Sequence, residues 1–245
     1  MNIKKMTLLK VILVGLVSFG ILGCGDGNML ETMADKNSDA AKKEDARMAI
    51  DKGDWQAAID GLKSEWESSG DPEIGADLAA AYMGLAGFDA LSLVESAQTA
   101  ADNPSATDEF TMISQLLPDP SDENLANMNE AVNILSSIDG RTADENLQLA
   151  MASGSLAVLE IGNQWGVKFD ADGNPIDVNG DPVAYQANDV TDTAIVMTNI
   201  STAVQSATDA GLVGGGADVG NQLSDLQTSI NDQGGLDAYL FNNYS

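Results

Sequence analysis

Gly53-Asp54-Trp55-Gln56-Ala57-Ala58-Ile59 is the stretch that decides the fold of this 245-residue chain. Upstream, Ala46, Ala49 and Ile50 recur at helical spacing, and downstream Leu62 and Trp66 continue the apolar stripe. Gly53 falls where the first helix must stop, and glycine accepts the left-handed conformation that closes a helix. Trp55 is placed to fill the wedge between the two helices. Ala58 is small where the partner helix passes close. A looser copy follows Asp71-Pro72, in which Leu78, Ala81 and Tyr82 lead into Gly87-Phe88.

This order of helix, glycine turn, aromatic residue and alanine resembles the tetratricopeptide repeat. Trp55 and Phe88 stand 33 positions apart, close to that repeat's period of about 34 residues. Two departures mark the copies as degenerate. Leu91 stands where the small alanine belongs, and Gly53 to Pro72 is about two residues longer than usual for the repeat. The resemblance covers roughly residues 39–100 and carries packing roles to Gly53, Trp55, Ala58, Tyr82, Gly87 and Phe88. It implies an all-α fold of tetratricopeptide-like helical hairpins, a short α-solenoid. Ordinary antiparallel helices are the alternative reading of the same pattern.

The rest of the chain extends the helical reading. Asp102-Asn103-Pro104-Ser105 breaks the chain, and Asp108 caps a short helix through Phe110, Ile113, Leu116 and Leu117 that Pro118 and Pro120 stop. Ser121 or Asp122 caps a helix bearing Leu125, Met128, Ala131, Val132 and Leu135. After the turn at Asp139-Gly140, a long helix runs from Thr142 to near Gly162. Residues 167–185 alone have strand character. Val167-Lys168-Phe169 and Ile176-Asp177-Val178 flank Asp172-Gly173, and Asn179-Gly180 marks a second tight turn, so a small inserted β-hairpin is expected. A helix from about Asn188 to Ala210, a flexible loop over Gly211–Gly220 and a short helix over Gln222–Asp232 complete a single mostly helical domain, 39–245. The tail with Tyr239, Leu240, Phe241 and Tyr244 is too apolar to hang free.

The amino end has another character. Lys4, Lys5 and Lys10 give it positive charge, and Leu8 to Ile21 is almost wholly apolar, as in a secretory signal peptide. Ile21-Leu22-Gly23-Cys24 resembles the lipobox of bacterial lipoproteins. That resemblance implies removal of residues 1–23, a covalent lipid on Cys24 and a flexible tether over 24–38. Several acyl chains anchor stably where one does not. Gly25 rather than aspartate follows the cysteine, which by the sorting rule of such lipoproteins directs the protein to the outer rather than the inner membrane.

Charge is spread unevenly. Without residues 1–23 the chain keeps 8 basic side chains against 38 acidic ones, a net charge of −30. Beyond residue 63 only Arg141 and Lys168 are basic. Such a surface repels nucleic acid and anionic headgroups and favours cations or a basic protein surface. Solubility, or a saline habitat, accounts for the same acidity. No histidine is present, which removes the commonest general base and transition-metal ligand. With the single cysteine lipidated, no nucleophile has an obvious activating partner.

Three motifs invite a site. Asp170, Asp172, Asn174, Asp177 and Asp181 space hard oxygens as calcium requires, but Pro175 occupies the glycine position of the twelve-residue loop, and Asp181 stands in place of its glutamate. Hairpin turn chemistry explains the same residues. Gly211–Gly220 lacks the lysine and Ser/Thr of a phosphate loop. The pairs Glu65/Glu67, Asp108/Glu109 and Asp122/Glu123 suit helix starts and solvated faces. The expectation is a lipid-anchored, non-enzymatic scaffold for envelope proteins, without cofactor and without nucleic acid. The alternative is a binding lipoprotein for a small ligand or cation, associated with a transporter.

Overall fold

The computed structural model describes residues 39–88, 119–170, 174–212 and 218–245. The expected signal segment, Cys24, the tether, Leu91, the short helix at 108–117 and Asp172 lie outside them. By internal contacts Lys42–Ser245 forms one compact unit and Met1–Ala41 a separate one.

The described residues form eight helices and one two-stranded sheet, an all-α protein with a small β insert. The helices are α1 (Asp39–Asp51), α2 (Trp55–Ser69), α3 (Pro72–Leu85), α4 (Asp122–Ser137), α5 (Ala143–Trp165), α6 (Thr193–Asp209), α7 (Asp218–Asp232) and α8 (Leu236–Tyr244). From α2 onward each helix packs on the next described helix in chain order.

Local chemistry sets the ends. After α1 the backbone turns left-handed at Gly53 (φ 73°), where the Asp54 N–H donates to the Ala49 carbonyl (2.8 Å) and the Gly53 N–H to that of Ile50 (2.9 Å). After α3 the same pair recurs at Gly87 (φ 84°), with Phe88 donating to Met83 (3.0 Å) and Gly87 to Gly84 (2.9 Å). Both are Schellman closures, which satisfy carbonyls that a helix end leaves unpaired. Asp71 caps α3 ahead of Pro72. Thr142 and Glu145 form a full capping box on α5.

Helix α5 is the axis of the body. Every residue from Ala152 to Gly162 is buried. Leu149, Ala152, Leu156 and Leu159 face a first core built from α2, α3 and α4. Ala157, Val158, Ile161 and Trp165 face a second, formed with α6, α7 and α8. Close approach depends on small residues. A methyl group on Gly84 would fall 2.5 Å from the Trp55 ring, and one on Gly162 would fall 2.9 Å from both Pro120 and the Val167 carbonyl.

The insert pairs β1 (Lys168–Phe169) antiparallel with β2 (Pro175–Ile176), Lys168 opposite Ile176 and Phe169 opposite Pro175. A further bridge joins Ile176 to Pro182.

Four expected boundaries change. The strand expected over Ile176-Asp177-Val178 stops at Ile176, because the Asp177 carboxylate folds the chain into a turn by accepting from the Asn179 and Asp181 N–H groups. Helix α5 runs past Gly162 to Trp165, since Gly162 serves close packing and Gly166 (φ 76°) supplies the cap. Helix α6 begins at Thr193 rather than near Asn188, because Asp192 caps it and Asn188 holds a left-handed turn (φ 70°). Helix α7 begins at Asp218, so part of the expected Gly211–Gly220 loop is helical. The apolar tail folds as α8 and buries Leu236, Tyr239 and Leu240.

Gly84→Ala and Gly162→Ala should both lower the melting temperature despite alanine's better helix propensity, by about 1–3 kcal/mol of overpacking strain. Gly162→Ala should cost more, because a backbone carbonyl cannot rotate aside as the Trp55 ring can. Thermal denaturation followed by circular dichroism checks the ranking.

Candidate functional site

Helix α6 walls an open concavity among the described residues. Val196, Ile200, Ala203 and Ala207 turn inward at spacings of three and four and are buried. The residues left outside are mostly hydroxyl and amide bearing, and Thr193 to Thr208 contains no charged side chain. Met197, Thr198, Ser201, Thr202, Gln205, Ser206 and Asp209 line a groove of about 600 Å³ whose other wall is Ser136, Arg141 and Leu149.

The hydroxyls are partly committed. Thr198 donates to the Ala194 carbonyl (2.8 Å) and Thr202 to that of Thr198 (2.9 Å), which leaves their oxygens as acceptors. Gln205 donates to Asp209 (2.9 Å), and Ser201 accepts from Gln227 (2.9 Å). Leu149 and Met197 supply apolar floor. Arg141 shapes the wall. Its Nη1 donates to the carbonyls of Leu135 (3.2 Å), Ser136 (3.2 Å) and Ile138 (3.0 Å), and its Nε to Asn146 Oδ1 (3.0 Å). One guanidinium thus closes the carboxyl end of α4, where its positive charge meets the helix dipole favourably, and ties that end to the start of α5. The groove offers hydrogen-bond donors and acceptors over an apolar floor, a surface for binding.

A second polar cluster joins α1 to α3. Lys43 Nζ donates to Glu73 (2.8 Å) and Asp71 (3.4 Å), while Arg47 donates through Nε to Asp77 (2.8 Å) and through Nη2 to Glu73. Hydrogen bonds from Lys43, then Arg47, hold the Glu73 carboxyl down at about 2. Both cations are pushed up, foremost by their bonds to Glu73. Asp77 moves the other way. Burial raises it more than Arg47 lowers it, so this member of the pair costs stability even as its bond positions α1.

The tetratricopeptide-like positions come together around α2 and α3. Ala58 is fully buried, and Tyr82 and Phe88 lie in the first core. Trp55 covers Gly84 of α3. Gly61 faces α1, where a methyl group would meet Ala46 at an ordinary contact distance of 3.5 Å. Gly61 carried no sequence signal beyond being a glycine within a helical stripe.

The calcium pattern divides into two turns. Asp170 accepts from the Asn174 backbone (2.8 Å) and side chain, and Asp177 from the backbones of Asn179 (2.8 Å) and Asp181 (2.9 Å). Those bonds, that from Asp181 foremost, hold the Asp177 carboxyl below its usual range. Among the described residues, no cluster of three or more acidic, histidine or cysteine side chains is placed to hold a metal ion. Sequence reading missed the Tyr185 network altogether. Tyr185 is fully buried, stacks edge-on against Trp165 at 5.0 Å and donates to Asp237 of α8 (2.7 Å). Burial, with Asp237 second, pushes its hydroxyl up to about 12.

No family model, curated protein or solved structure matches this chain significantly. Among the described residues no helix is long and apolar enough to cross a membrane.

Arg141→Met should destabilise the fold by about 1–3 kcal/mol, the usual cost of stranding buried acceptors of a charged donor; chemical denaturation measures it. The α1 contact should respond to acid and to salt. Glu73 has a folded value below its ordinary 4.5, so its contribution is complete above about that pH and is lost as pH falls toward about 2. Protection factors of the α1 amides should therefore fall in that window and with added salt, while those of α5 hold. The exposure of Glu73 keeps the effect below about 1 kcal/mol.

Proposed function

We propose that this protein is a lipid-anchored, non-enzymatic scaffold of the cell envelope, whose tetratricopeptide-like hairpins present a surface to a partner protein. Gly53 and Gly87 both close a helix with the Schellman pair of bonds, separated by the repeat's period of about 34 residues. The same kind of helix ending also occurs at Gly166, Gly211 and Gly234, so what carries the reading is the spacing of these two endings, each followed by an aromatic residue. The aromatic side chains, Trp55 and Phe88, pack against the neighbouring helices. Repeats of this kind stack into extended surfaces used for protein contacts.

The groove along α6 supports the same reading, because it is broad and open along a helix face. Ile21-Leu22-Gly23-Cys24 supplies the anchor, a lipid on Cys24, and Gly25 directs the protein to the outer membrane. The net charge of −30 after removal of residues 1–23 selects a partner with a basic surface. A second reading, a binding lipoprotein for a small ligand or cation, draws on the groove's volume, which falls within the usual range for small-molecule sites.

The decisive experiment is cross-linking in intact cells followed by affinity purification of the tagged protein, beside Cys24→Ala. The wild type should fractionate with membranes and recover one envelope complex in quantity. Cys24→Ala should lose both. A membrane-bound wild type that recovers background alone would overturn the scaffold and turn attention to ligand binding.

A further inference from the structure

Asp177-Val178-Asn179-Gly180 forms the exposed tip of the β insert and carries the only Asn-Gly pair in the sequence. We infer that Asn179 is a site of spontaneous covalent modification, deamidating through a cyclic succinimide at a rate governed by Asp177. In this reaction the Gly180 backbone nitrogen loses its proton to solvent base and attacks the Asn179 Cγ. A nitrogen–carbon bond forms and closes a five-membered ring, the side-chain carbon–nitrogen bond breaks, and the amide nitrogen takes a proton and leaves as ammonia. Water then opens the ring at either carbonyl and yields aspartate or isoaspartate. Solvent water is the sole co-reactant, and nothing is oxidised or reduced.

The position meets the demands of the chemistry as no other asparagine described does. Gly180 has no Cβ to shield its nitrogen, and its left-handed backbone (φ 89°) leaves open space around it. Asn179 is exposed. Asn124, Asn133, Asn146 and Asn199 lie inside helices, where the following N–H is held in the helical ladder. Asn174 precedes Pro175, which has no N–H to lose.

What restrains the reaction is one residue. The Asp177 carbonyl accepts from the Gly180 N–H (3.0 Å). Its carboxylate accepts from the Asn179 N–H (2.8 Å) and from the Asn179 side-chain amide (3.1 Å). These bonds hold the attacking nitrogen and the attacked carbonyl group apart from their reactive arrangement, and the turn is exposed enough to open often. The product carries one more carboxylate beside Asp177 and Asp181. Isoaspartate also adds an atom to the backbone of the turn that sets the Ile176–Pro182 bridge.

The test is incubation of the folded protein at mildly alkaline pH, then peptide mapping by mass spectrometry with isoaspartate detection, for the wild type, Asp177→Ala and Asn179→Gln. The wild type should gain about one mass unit at Asn179 before any other asparagine in the described residues. Asp177→Ala should accelerate this several-fold with an unchanged far-ultraviolet circular dichroism spectrum, and Asn179→Gln should abolish it. Conversion at Asn179 no faster than at Asn188, whose turn is also left-handed, would overturn the assignment of the site. Equal rates in wild type and Asp177→Ala would overturn the governing role of Asp177.

Discussion

The rest of the molecule depends on the burial, on all sides, of the stretch of α5 from Ala152 to Gly162. A stretch of helix with no solvent face must satisfy a different neighbour in every direction, and this one does so by alternating bulk with near-absence of side chain. Leu156 and Leu159 fill the first core, Val158 and Ile161 the second. Between them Ser153, Gly154, Ser155 and Ala157 leave room for other backbones. A methyl group on Gly154 would reach Leu223 of α7 at 3.5 Å and Ala203 of α6 at 3.9 Å. Because one rigid helix walls both cores, neither half of Lys42–Ser245 can repack without disturbing the other.

Electrostatics work at the edges of this frame. Four cations among the described residues hold elements together. Lys43 and Arg47 fasten α1 to α3, Arg141 closes α4 against α5, and Lys168 lies 3.7 Å from Asp119. Helix α1 needs its pairs most, since from Ala41 onward Ala46 is its one buried apolar residue and short helices do not persist alone in water. The surplus acid is left on the surface, where α6 is the exception. From Thr193 to Thr208, short of Asp209, its outer face carries no charge and interrupts a field that would otherwise keep like-charged surfaces at a distance.

Much of the fold was readable from local chemistry. Helices α2 to α5 begin at residues whose side chains accept the first free N–H groups, namely Asp54, Asp71, Ser121 and Thr142. Their apolar stripes have helical period, and Gly53 and Gly87 stop their helices where left-handed backbone is required. Where sequence reading slipped, a local signal had two meanings. Gly162 looked like a terminator and is a packing contact; Asn188 looked like a helix start and is a turn. Of the candidate sites, the turn chemistry at Asp170 and Asp177 was visible, whereas the groove was not. Its walls come from Ser136, Arg141 and Leu149 on one side and α6 on the other, separated by some fifty residues of chain whose meeting no local pattern encodes.

By itself, then, the sequence determined the class of fold, the positions of most helix ends and the excess of acidic side chains, because each of these is a property of neighbouring residues or of composition. Tertiary structure alone decided that α5 is buried on every side from Ala152 to Gly162, that Arg141 spans two helices, and that Tyr185 meets Asp237 across 52 positions. These are consequences of which surfaces meet when chain entropy is traded for burial. A residue's own sequence neighbours carry no record of that choice.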